Sequence, residues 1–162
     1  MDILKIYKYA LQREIEGKRF FEQNAERMSH GAATGAFKNL AAEEQKHIDF
    51  IQSKIDQIEK KGSPSLENVP EDEEFFFSQR AASEILDRTV LESMVPDLPV
   101  LRMAYLIERD FAEFYEKAAA KAEGDAKQVL EKLANWERDH ESLFKKYHDM
   151  AFEEYAGMPW GG

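Results

Sequence analysis

Glu44 and His47 stand three residues apart, as do Glu137 and His140, and each pair follows a lone glutamate, Glu14 or Glu108, by 30 and 29 residues. The two sets are offset by 94, 93 and 93 residues for the lone glutamate, the paired glutamate and the histidine. Carboxylate oxygens with one imidazole per set are donors for divalent cations. A glutamate plus a Glu-x-x-His quartet from each half is the ligand pattern of a two-metal carboxylate centre inside a helical bundle. Six groups, Glu14, Glu44, His47, Glu108, Glu137 and His140, are therefore the candidate metal ligands and the candidate catalytic set.

Such groups need long, parallel supports. Apolar residues recur at helical spacing over 3–30, 35–61, 98–123 and 126–156, and nothing reads as a strand. Asp2, Asp97 and Asp125 are placed to cap helix starts, Asp125 with Gln128 as a capping box, and Gly31, Gly62, Gly124 and Gly157 follow the expected helix ends. The short links at 31–34 and 124–125 make helices one and two, and three and four, antiparallel neighbours. The stretch 62–96 is a long crossover, with Ala81, Ala82, Ile85, Leu86 and Val90 forming one face of a shorter helix near 79–92. Two antiparallel hairpins joined by such a crossover define an all-α, ferritin-like four-helix bundle. One domain is expected over 1–156, followed by a frayed tail at 157–162.

Helical phase decides whether the six groups share an interior, because residues three, four and seven apart lie on one face. Glu14 lines up with Tyr7, Leu11, Gly17 and Phe21, and Glu44 with Phe37, Leu40, Ala41, His47, Ile48 and Ile51. Glu108 lines up with Leu101, Ala104, Tyr105, Phe111 and Tyr115, and Glu137 with Leu130, Leu133, Ala134, His140 and Phe144. Glu16, Asp110 and Asp139 sit two residues beyond a ligand, rotated toward solvent. Glu43 is left outside the ligand set because it lacks a histidine three residues on. Tyr115 is placed to hydrogen-bond a ligand carboxylate, to donate an electron, or simply to fill the core, while His30 and His148 read as ordinary helix residues.

Four carboxylates buried together repel one another and lose hydration, and two divalent cations cancel that cost. The oxygen-rich donor set suits iron, with manganese or a mixed iron–manganese pair as alternatives. The formal charge of −10 disfavours nucleic acid and anionic membranes as partners. The absence of cysteine excludes disulfides, thiolate zinc and iron–sulfur clusters within the chain. No long apolar run or signal-peptide pattern is present, so a cytoplasmic location is expected.

Through Glu14-x-x-Gly17-x-x-x-Phe21, Glu44-x-x-His47, Glu108-x-x-x-x-x-x-Tyr115 and Glu137-x-x-His140, the chain resembles the rubrerythrin-like branch of the ferritin-like di-iron proteins. The resemblance implies that Glu44 and Glu137 bridge two irons, that Glu14 and Glu108 are terminal ligands, and that His47 and His140 bind one iron each. It implies an oxidoreductase that reduces hydrogen peroxide or dioxygen. Two departures stand out: Phe111 occupies the position where typical rubrerythrins carry a further carboxylate, and there is no cysteine-ligated rubredoxin domain. An external electron-donor protein is therefore expected, and a homo-oligomer, most simply a dimer. The alternative is an iron-storage protein with ferroxidase activity, which would form a large cage and accumulate many irons per chain.

Overall fold

The computed structural model describes residues 1–29, 31–61 and 88–159. Among them are α1 (Ile3–Ala25), α2 (Gly31–Lys61), α3 (Arg88–Ser93), a 3-10 turn at Val95–Asp97, α4 (Leu98–Ala119) and α5 (Gly124–Gly157), with no strand. Helices α1 and α2 pack along each other as one hairpin, and α4 and α5 as the other. The fold is an all-α, ferritin-like helical bundle. Most of the crossover helix expected near 79–92 lies outside the described residues, as do His30, Gly62 and the end of the tail. No helix among the described residues is long and apolar enough to cross a membrane.

The helix boundaries differ from the sequence expectation at both tight links. Helix α1 stops at Ala25, where Arg27 and Met28 bond back to the carbonyls of Asn24 and Ala25 and the Asn24 amide donates to the Phe20 carbonyl. Gly31, expected after a helix end, instead opens α2, and this earlier start adds buried Ala33 to the packed face. Asp2 does cap α1, accepting from the Lys5 amide at 3.2 Å. Asp125 does not cap α5. Gly124 takes a positive φ of 59°, which glycine adopts without strain, and Glu123 holds the cap position while Asp125 falls in the first turn. There its negative charge still complements the helix dipole.

Asp97 is likewise at a cap position without making a side-chain cap bond. Its carboxylate is 4% exposed and accepts instead from the Ser29 amide at 3.1 Å and from the Ser29 hydroxyl at 3.1 Å. The link between α1 and α2 is thereby tied to the start of α4, so one hairpin is fastened to the other. Asp97→Ala removes the acceptor of both Ser29 bonds and is expected to cost about 2 kcal/mol. Urea unfolding of the variant measures the loss.

Two apolar clusters fill the bundle. One gathers Phe21, Phe37, Leu101, Phe144 and Tyr147, and the other Tyr7, Ile51, Phe111, Leu130 and Leu133. On each long helix the candidate ligands fall between residues of the first cluster and residues of the second. The polar groups thus form a layer in mid-bundle with hydrocarbon above and below it. Phe21, Phe37 and Phe144 close one side as mutual ring contacts with centroids 5.3 to 5.7 Å apart.

Candidate metal centre

The four long helices bring all six candidate side chains into that layer. Glu14, Glu44, Glu108 and Glu137 are fully buried, and His47 and His140 are 3% and 4% exposed. The controls behave differently: Glu16 and Asp110 are exposed and Asp139 is half-buried, all outside the cluster.

The ligand atoms divide into two groups, Glu14–Glu44–His47–Glu137 and Glu44–Glu108–Glu137–His140, each with its donor atoms within 4.8 Å of one another. Glu44 and Glu137 belong to both. Glu44 sends Oε2 to within 3.5 Å of His47 Nδ1 and Oε1 to within 3.4 Å of His140 Nδ1. Glu137 sends Oε1 to within 3.0 Å of His47 Nδ1 and Oε2 to within 3.6 Å of His140 Nδ1. Each shared carboxylate therefore offers one oxygen to each imidazole. Glu14 serves only His47, at 3.4 Å, and Glu108 only His140, at 3.7 Å.

Both Nδ1 atoms, both oxygens of Glu44, Glu108 and Glu137, and Oε2 of Glu14 are buried without a hydrogen bond among the described residues. Buried polar atoms are almost always satisfied, so convergent, unsatisfied oxygens and nitrogens fit the coordination sphere of cations. Two shared carboxylates with one imidazole at each end could hold divalent ions in two adjoining positions.

A family model of rubrerythrin matches residues 5–148. The chain belongs to the rubrerythrin family. Comparison with curated proteins and with solved structures gives no match.

Within this rubrerythrin centre the supporting contacts are specific. Tyr115 donates its hydroxyl proton to Glu14 Oε1, so of the roles open to it the structure shows the carboxylate bond. Phe111 lies one turn beyond Glu108 and presses on Gly17, one turn beyond Glu14. A Cβ added to Gly17 would stand 2.8 Å from the ring, so glycine is what admits the phenyl group. The Arg13 guanidinium covers Phe111 at 4.9 Å from its centroid. Sequence reading set Glu43 aside, yet it is 8% exposed and its Oε2 lies 2.6 Å from His140 Nε2. The usable signal was its place beside Glu44, one residue around the helix on the flank facing α5.

Electrostatics in the rubrerythrin layer describe how protons substitute for cations. Burial and the neighbouring Glu44 carboxylate push Glu14 up to about 8. Burial, with Glu44 and Glu137, pushes Glu108 well above the carboxylate range. Burial alone would lower both histidines. Glu137 and Glu44 override it at His47, and Glu108, Glu137 and Glu43 override it at His140, so both imidazoles are held well above their usual range. Burial also acts to raise Glu44 and Glu137, but the two imidazolium groups help hold both below the ordinary value.

In metal-free protein Glu14, Glu108, His47 and His140 thus hold protons to higher pH than the free side chains would. Two divalent cations would balance four carboxylates beside neutral imidazoles. Uptake of cations is expected to release protons, and to release fewer once pH has risen past about 8, where Glu14 is already ionised. Calorimetric titrations repeated in buffers of different ionisation enthalpy count the protons.

Proposed function

We propose that this chain is a non-haem di-iron oxidoreductase that reduces hydrogen peroxide or dioxygen at the centre formed by Glu14, Glu44, His47, Glu108, Glu137 and His140. The observation that carries the reading is the two-way reach of Glu44 and Glu137, which creates two positions sharing two carboxylates. Two ferrous ions held there would supply one electron each, the two that convert one hydrogen peroxide and two protons into two waters.

The side chains supply the rest. Glu14 with His47, and Glu108 with His140, would complete the two positions, and the shared carboxylates would fix their separation. Tyr115 holds a phenolic proton against Glu14, inside the layer. Phe21, Phe37 and Phe144 exclude water from one side, and Tyr7, Ile51 and Phe111 from the other. These 162 residues hold no cysteine for an iron–sulfur donor, so electrons would arrive from a reductant outside the bundle.

Anaerobic reconstitution with Fe(II), followed by separate rapid mixing with peroxide and with dioxygen, tests this function. About two irons per chain, oxidised by peroxide or dioxygen within a single turnover, is the expected result. Loading far beyond two irons per chain, in a hollow oligomer, would replace it with iron storage.

A further inference from the structure

The two halves of the repeat are alike in their candidate ligands and unlike immediately beside them. The residue 93 positions after Glu43 is Trp136. Glu43 precedes Glu44 as Trp136 precedes Glu137, and each side chain lies against the histidine of the other hairpin. Glu43 Oε2 is 2.6 Å from His140 Nε2. Trp136 stacks on His47 with centroids 4.9 Å apart and planes 11° from parallel.

These neighbours act differently on an imidazole. A carboxylate accepts the Nε2 proton of His140, which fixes the tautomer, orients the ring and makes Nδ1 the basic nitrogen turned toward Glu44, Glu108 and Glu137. The negative charge also raises the donor strength of that nitrogen. An indole has no acceptor to offer, since its only hydrogen-bonding group is a donor. It braces the His47 ring by contact and adds no acceptor of its own.

We propose that Glu43 and Trp136 make the two cation positions unequal, the position between Glu108 and His140 binding a divalent cation more tightly and filling first. This rests on the two-cation reading above. Glu43 acts here as a positioning residue through His140. It also lines a surface hollow of about 180 Å³ with Asn39, Ala42 and Lys46, so the tighter position is the one whose histidine is linked through one side chain to solvent.

The test is titration of the metal-free 162-residue chain with Mn(II) alone, following unbound Mn(II) by electron paramagnetic resonance. Two resolved steps are expected, with Glu108→Gln removing the tighter and Glu14→Gln the weaker. Glu43→Gln preserves size and an acceptor oxygen but removes the charge. It is expected to weaken the tighter step by about tenfold or more and leave the other unaltered, whereas Trp136→Phe spares the tighter step. Equal steps in the parent chain, or a Glu43→Gln variant that weakens both alike, would overturn the inequality and leave the two-cation centre standing. No Mn(II) uptake by the parent chain would overturn that centre and this inference with it.

Discussion

Glu137→Ala is expected to abolish uptake of both cations, lowering bound metal from about two per chain to less than about one half after reconstitution and dialysis. Both positions depend on this carboxylate, because Oε1 faces His47 and Oε2 faces His140. A side chain serving one position has a smaller effect. Glu14→Ala should leave about one cation bound, since Glu14 belongs to only one of the two donor groups. Metal analysis of the two variants beside the parent protein separates a bridging from a terminal role. Equal losses in both would remove the basis for assigning Glu137 as shared.

The second large effect is on stability. At a free-ion concentration about a thousandfold above the dissociation constant, each bound cation adds about 4 kcal/mol to folding, so two add about 8 kcal/mol. For a chain of this length the melting temperature should fall by on the order of 20 °C when a chelator removes the metal. The difference should widen as pH rises.

The direction follows from which form each group stabilises. Glu14 rises from 4.5 to about 8 on folding, so its contribution to metal-free protein is complete below about pH 4.5 and is lost as pH rises through about 8. His47 and His140 are also raised, and their contribution is complete below about pH 6.5 and lost above it. Glu44 and Glu137 are lowered, so theirs persists above 4.5 and disappears only on acidification. Metal-free protein therefore weakens from about pH 6 to about pH 8, while cations meet less competition from protons for the same ligands. Thermal melts with and without chelator across this interval measure the widening gap.

Much of the centre was legible in sequence because helical phase is a local property. Glu14, Glu44, Glu108 and Glu137 each interrupt an apolar stripe, and repetition at 94 and 93 residues tied the two halves together. What lies opposite a residue is not local. Glu43 is about 100° around α2 from Glu44, which alone places it on a flank; only the approach of α5 puts His140 against it. Asp97 read as a helix cap, and its real partner, Ser29, is 68 residues away. The start of α2 shifted for a related reason: small residues at 31–34 permit either a loop or a helix, and the burial of Ala33 favours the helix.

Phe111 bears on how fast charge can move through such a centre. Its ring is confined between the Gly17 backbone and the Arg13 guanidinium, one turn from Glu108. Rigid donors on four packed helices would keep nearly the same bond vectors in both oxidation states. Little nuclear rearrangement would then accompany a change of charge on cations held there, which keeps the reorganisation energy of the centre low.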